Sequence, residues 1–213
     1  MVNNVQLYKG DCLEVMKDIK DKSIDMILCD LPYGTTNCKW DVIIPFEPLW
    51  EQYNRIIKDN GAILLFGTEP FSSRLRISNL KIYKYDRIWY KSRASNFLNA
   101  KKQPLKYHEI ISVFYKKQPQ YYPIMRKGEK NHRTKPNVIK SDLFNSIAKG
   151  KINTSDMKYP KSIIEIKSMD STKNLHPTQK PVALLEYLIK TYTRENEIIL
   201  DNCMGSGSTG IAC

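Results

Sequence analysis

A short apolar run, Met26-Ile27-Leu28-Cys29, stops at Asp30-Leu31-Pro32-Tyr33-Gly34. An apolar run bounded by turn-forming residues predicts a strand buried on both faces, as in a parallel sheet. Such a strand obliges the chain to supply helices for both sides. The rest of the sequence reads that way. Strands are predicted at Val5–Lys9, Ile24–Cys29, Ala62–Phe66, Lys84–Tyr90, Glu109–Tyr115 and Glu197–Leu200. Helices are predicted at Leu13–Ile19, Phe46–Lys58 and Phe71–Asn79, with another opened by Pro181, whose missing N–H costs nothing in a first turn. Asn60-Gly61 is a stop signal for the second helix. Strands alternating with helices indicate an α/β fold. Ligands of such folds sit at the carboxyl ends of the strands, where Asp11, Asp30 and Asp201 fall.

Composition narrows the partners. Of 213 residues, 34 are Lys/Arg and 22 are Asp/Glu, a net charge of +12. Residues 91–173 hold 19 of the basic and 6 of the acidic residues, so the whole excess lies in one segment. Such asymmetry suits a polyanion, and the interleaved Tyr107, Tyr115, Tyr121 and Tyr122 suit an ordered binding surface. A solvated lysine-rich insertion is the alternative reading. No apolar run is long enough to span a bilayer, and the first residues, Met-Val-Asn-Asn-Val, carry no signal pattern. Five cysteines, at 12, 29, 38, 203 and 213, form neither a disulfide frame nor a zinc pattern. They read as small buried residues in a reducing cytoplasm, and no metal is expected.

Near the other end lies a glycine-rich turn, Asp201-Asn202-Cys203-Met204-Gly205-Ser206-Gly207-Ser208-Thr209-Gly210. Its glycines allow a tight turn and a close backbone approach at a helix N-terminus. Together with Asp30-Leu31-Pro32-Tyr33, and in this order, it resembles the β-class amino-group DNA methyltransferases. Two further pieces match that family: Gly10-Asp11 at a strand end, and His176-Pro177-Thr178-Gln179-Lys180-Pro181 before a helix. The resemblance runs from Leu7 to Ala212 apart from the basic segment. It departs at Leu31, where the family has Pro, and at Asn202 and Cys203, where it has Pro and Phe.

The resemblance implies a Rossmann-like methyltransferase sheet, mainly parallel with an antiparallel strand pair, plus a basic target-recognition insertion. The expected domains are a catalytic core over 1–115, a target-recognition segment over 116–173 and a cofactor-binding part of the same core over 174–213. The implied reaction moves a methyl group from S-adenosylmethionine to adenine N6 of a base flipped out of double-stranded DNA. N4-cytosine methylation and an inactive DNA-binding remnant are the alternatives.

A conjugated amino nitrogen is a poor nucleophile, so its two N–H bonds need acceptors and its ring must be held. Asp30 and the main-chain carbonyl of Leu31 are the implied acceptors, with Pro32 and Tyr33 against the ring. An acidic residue first in the motif points to adenine. Trp40 and Asp41 either line the same pocket or pack. The implied cofactor contacts are Asp11, Cys12, Thr178, Lys180, Asp201, Cys203, Met204, Gly205, Ser206, Gly207 and Thr209. An N-cap for the helix that follows is the alternative reading of Asp11. Lys101, Lys102 and Arg126 are the expected phosphate contacts. The setting implied is the cytoplasm of a bacterial or phage-infected cell, in a restriction–modification, phage or regulatory role, with a homodimer left open.

Family members continue beyond the glycine turn through a helix to another strand, which carries an acidic residue for the cofactor ribose. This sequence stops at Cys213, one turn into that helix. A truncated or partner-completed chain is therefore expected, with a gap in the sheet beside the strand that leads to Asp201.

Overall fold

The computed structural model describes residues 5–36, 38–130, 155–168 and 179–213. The chain divides into two compact units, one formed by residues 1–122 and 162–213 and the other by residues 123–161.

The larger unit begins with a short helix, α1 (Cys12–Val15), capped by the Asp11 carboxylate, which accepts from the Leu13 N–H at 2.8 Å. A 3-10 turn (Met16–Asp18) leads to β1 (Ile24–Cys29), the strand read from the sequence, with the same bounds. Next come α2 (Phe46–Ile56), β2 (Ile57–Gly67), α3 (Phe71–Ser78), β3 (Tyr83–Tyr90) and β4 (His108–Phe114). The smaller unit contributes a ribbon of β5 (Arg126–Lys127) and β6 (Met157–Lys158), antiparallel with Arg126 opposite Lys158. The larger unit then resumes with β7 (Ile163–Glu165), α4 (Val182–Tyr192), β8 (Ile199–Leu200) and α5 (Ser208–Ala212).

Among the described residues six strands form one sheet in the order β7-β3-β4-β2-β1-β8. β1 runs parallel to β2 and β8, and β3 parallel to β7. β4 is antiparallel to both of its neighbours, β2 and β3. The sheet is therefore mainly parallel in direction, with the expected antiparallel pair.

Alternation along β1 and β2 divides the core between the two faces. Ile27, Cys29, Ile63 and Leu65 pack with Leu49, Tyr53, Phe71 and Leu75 of α2 and α3. Met26, Leu28, Ala62 and Leu64 pack on the other side with Leu184, Leu185 and Leu188 of α4. Each fully buried Leu or Ile stabilises by about 1.5–3 kcal/mol relative to exposure. The central strands, whose apolar side chains are almost all inaccessible, thus anchor the fold more than the short helices do.

Two expectations need correction, and one short strand is added to them. Val5–Lys9 joins no strand ladder, and Val5, Leu7 and Tyr8 are exposed. A strand requires a hydrogen-bonding neighbour, and among the described residues β8, two residues long, is the edge on that side. The second helix ends at Ile56 rather than Lys58, and β2 begins at once, taking Asn60-Gly61 into an irregularity between the Ile24–Ile57 and Met26–Ala62 pairs. Within the basic segment, where the sequence predicts no strand, Ile163–Glu165 adds β7 to the sheet. Ile164 is buried there against the face that α4 covers, which three residues cannot signal by periodicity.

Candidate active site

Six chain segments meet at one rim of the sheet. β1 and β8 run side by side with Ile27 opposite Leu200, so Asp30 and Asp201 emerge together. β2 ends at that rim with Phe66 and Gly67. β4 runs the other way and so begins there with Glu109, paired with Trp89 at the end of β3. Lys180 arrives from the segment before α4. Asp30, Asp201, Phe66, Trp89, Glu109 and Lys180 border a cleft of about 700 Å³ within the larger unit.

In the half built around Asp30, ionised and hydroxyl side chains hold one another in a chain. The Tyr33 hydroxyl donates to Asp30 Oδ1 at 2.5 Å, and its ring lies 5.0 Å from that of Phe71. Burial, reinforced by the charges of Asp30 and Glu109, pushes the Tyr33 phenol well above its ordinary range, so it remains a donor. The Lys180 ammonium donates to Asp30 Oδ2, lies 3.4 Å from Glu109 Oε2 and sits 5.2 Å from the Phe66 ring centre. Burial alone would lower the Lys180 pKa, but Asp30 and Glu109 outweigh it and raise it. Lys91 Nζ bonds Glu109 Oε1 at 3.0 Å. Burial would raise the Glu109 pKa, and the ammonium groups of Lys180 and Lys91 reverse this, leaving it below the usual carboxylate range. Glu109 Oε2 is buried without a hydrogen bond of its own.

The loop after Tyr33 is shaped by Asp41. Its carboxylate accepts from the backbone N–H groups of Gly34, Thr35 and Thr36 at 2.8, 2.9 and 2.7 Å. Burial works against that charge, but these donors prevail and lower its pKa. Leu31 is 4% exposed, its side chain in the core beneath the rim, and the residue also borders the cleft.

The half built around Asp201 has room for a large ligand. Gly205 has φ +52°, and a Cβ there would meet nothing within 4 Å, so the turn leaves open space along its backbone. Asp201 Oδ2 accepts from the Thr209 hydroxyl at 2.6 Å, and Oδ1 accepts from the Cys203 N–H at 3.1 Å. Burial raises the Asp201 pKa against these donors. Tyr53 of α2 donates to Asn202 Oδ1 at 2.5 Å and ties the turn to the core. An open, glycine-lined cradle beside a carboxylate fits the amino-acid and nucleoside parts of S-adenosylmethionine.

Of the predicted site residues, Asp30, Leu31, Pro32 and Tyr33 border the cleft, as do Lys180, Asp201, Cys203, Met204, Gly205, Ser206 and Thr209. Trp40 and Asp41 also line it. Asp11, Cys12 and Gly207 are not in its lining, and Asp11 caps α1. Thr178 lies outside the described residues. Lys180 directs its ammonium to Asp30 and Glu109 rather than to the glycine turn. Lys101 and Lys102 are exposed on the β3–β4 loop, and Arg126 is exposed on the ribbon of the smaller unit.

Glu109 and Lys91 were missed by sequence reasoning. Their signal was a pair of charges inside or beside apolar strand runs, where an unpaired charge is costly. The cysteines also differ from expectation, for Cys29 alone is fully buried and Cys38 and Cys213 are exposed. Cys12 and Cys203 share a thiol hydrogen bond that, with burial, pushes Cys12 upward, while burial brings Cys29 to about 11. Both stay protonated and unreactive at neutral pH.

Residues 24–213 match a family model, N6_N4_Mtase, described as DNA methylase. The type II methyltransferase M2.MboI of Moraxella bovis is 27% identical over 235 residues, spanning 98% of this chain and 78% of that protein. The type II methyltransferase M.HinfI of Haemophilus influenzae is 27% identical, over 96% of this chain and 60% of its own length. Among solved structures, the M1.HpyAVI–SAM complex superposes with a TM-score of 0.62 at 24% identity, covering 98% of this chain and 87% of that one. The cytosine-N4-specific PvuII DNA methyltransferase gives a TM-score of 0.66 at 16% identity, covering 96% and 76%. At these identities the structural likeness establishes the fold.

Proposed function

This chain belongs to the N6/N4 DNA methylase family, whose methyl donor is S-adenosylmethionine, and from that membership we propose that it methylates adenine N6 in double-stranded DNA. The observation that carries this reading is the convergence of Asp30 and the Asp201–Thr209 turn on one cleft, from adjacent parallel strands. Neither segment alone brings an amine acceptor and a cofactor cradle together.

Bound S-adenosylmethionine supplies an electrophilic methyl group. The chain's own residues prepare the amine to receive it. Each carboxylate oxygen has two lone pairs, so Asp30, with one donor from Tyr33 and one from Lys180, retains acceptor capacity for an amino N–H. The Leu31 carbonyl takes the second N–H, and the Asp30 carboxylate receives the proton that the amine gives up. Pro32 and Tyr33 hold the ring of a base swung out of the duplex, since a stacked base cannot reach a cleft of this kind. Lys180, fixed between Asp30 and Glu109, orients the acceptor. The turn from Cys203 to Thr209 holds the cofactor beside Asp201. The acidic residue at the head of the motif favours adenine over cytosine. The relatives' description as type II methyltransferases favours a modification role in a bacterial or phage-infected cytoplasm.

The test is labelled methyl transfer to DNA followed by mass spectrometry of the nucleosides. N6-methyldeoxyadenosine is the expected product, and N4-methyldeoxycytidine would move the assignment to cytosine. Asp30→Ala is expected to lower transfer by at least about a hundredfold, the usual scale for losing a group that stabilises a transition state. Its calorimetric affinity for S-adenosylmethionine should stay nearly unchanged. Normal turnover in that variant would refute the mechanism.

A further inference from the structure

The loop joining β3 to β4, residues 91–107, carries Lys91, Arg93, Lys101, Lys102 and Lys106 and no acidic residue. It is not loosely organised. The Lys91 N–H bonds the Tyr107 carbonyl at 2.7 Å and the Ser95 N–H bonds the Lys106 carbonyl at 3.1 Å, so the two arms run together. Asn96 joins them again, accepting from the Lys106 N–H at 2.6 Å and donating to the Pro104 carbonyl at 3.1 Å. The rings of Tyr90 and Tyr107 stack at the base, 6.1 Å apart. At the far end a single 3-10 turn, Phe97–Asn99, presents Phe97 at 69% and Leu98 at 85% exposure.

A hydrogen-bonded loop that holds two adjacent large apolar side chains in water forgoes their burial, and such an exposed pair on a fixed loop suits a contact surface. Its basic flanks select a polyanion. Its position selects further, because Arg93, Ala94 and Ser95, the residues leading into the tip, line the cleft that would receive the target base.

We propose that Phe97 and Leu98 form a wedge that enters the DNA duplex and fills the place vacated by the extruded base, while Lys101 and Lys102 grip the adjoining phosphates. This rests on the reading that the cleft takes a base out of duplex DNA. Apolar wedges are a known physical means of offsetting the cost of unstacking a base. Both side chains are exposed, so removing them leaves the core intact.

The experiment compares the full chain with a Phe97→Ala/Leu98→Ala variant. Fluorescence anisotropy would measure binding to short duplexes of randomised sequence, either intact or carrying one abasic site. An abasic site removes the base that must otherwise be displaced. The wild-type chain should prefer the abasic duplex by about tenfold, and the variant should lose that preference while binding intact duplex almost as well. Thermal melting and affinity for S-adenosylmethionine should match wild type. A preference kept by the variant, or absent from the wild type, would overturn the wedge. So would a wild-type dimer, seen by light scattering, that the variant abolishes, for the tip would then be a contact between two copies of the chain. Labelled methyl transfer by the wild type is read separately. Its absence, with the abasic preference intact and dependent on Phe97 and Leu98, would refute the proposed function and leave the wedge standing.

Discussion

Glu109 is the residue on which the charges of the site depend. It lies between Lys91 at 3.0 Å and Lys180 at 3.4 Å, and Lys180 in turn bonds Asp30. Removing one member of a buried ion network leaves its partners uncompensated, at a typical cost of about 3–5 kcal/mol. Glu109→Gln should therefore lower stability by about 3 kcal/mol, at the bottom of that range because Asp30 still faces Lys180. The effect has a defined pH window. The Glu109 pKa is lowered on folding, so its contribution is present above the ordinary carboxylate value and fades as pH falls through the folded one. The Lys180 pKa is raised, so its contribution is present below the ordinary lysine value and fades as pH rises through the folded one. Thermal melts should show a wild-type advantage that is flat across neutral pH and shrinks at both extremes. An advantage independent of pH would mean that the network does not act through charge. Since Lys180 orients Asp30, the variant should also lose kcat more than affinity for the cofactor.

Among elements, the junction of α2 and β2 departs furthest from local expectation. Helix and strand abut at Ile56 and Ile57, and the Asn60-Gly61 signal that reads as a helix stop is absorbed within the strand. Gly61 is required there by space, because a Cβ would lie 2.7 Å from the Asp25 carbonyl oxygen and 2.7 Å from Ile57. Gly61→Ala should destabilise by about 1–3 kcal/mol, seen as a lower denaturant midpoint, since a backbone oxygen cannot move aside cheaply. Gly205 is required by conformation instead, with φ +52° and open space around it. Gly205→Ala should cost about 1 kcal/mol in stability for the left-handed backbone. Its larger effect should be on calorimetric affinity for S-adenosylmethionine, because the added methyl enters the cradle. Wild-type affinity in that variant would show that the turn does not approach the ligand.

Across the whole molecule the basic excess of residues 91–173 is shared between units. Part of it is the β3–β4 loop of the larger unit, and part belongs to the smaller unit with Arg126 and Lys127. DNA affinity should fall steeply with salt, each phosphate contact contributing about 0.9 to the log–log slope. Lys101→Ala/Lys102→Ala should flatten that slope by about 1.8 if each lysine meets a phosphate. An unchanged slope would place the phosphate grip elsewhere.

Much of the site was legible in the sequence because it is written locally. The bounds of β1, the capping carboxylate of Asp11, the place of Asp30–Tyr33 at a strand end and the glycine turn after a strand all depend on residues within a few positions of one another. Alternating strands and helices also established the α/β class. What the sequence could not supply is the meeting of distant segments. Lys180 reaches Asp30 across 150 positions and Tyr53 reaches Asn202 across 149. Glu109 enters the site because β4 runs antiparallel to β2, and Ile163–Glu165 becomes a strand because it finds an open edge at β3. Those partnerships follow from strand order and direction, set by the burial of both sheet faces together, which no local periodicity encodes.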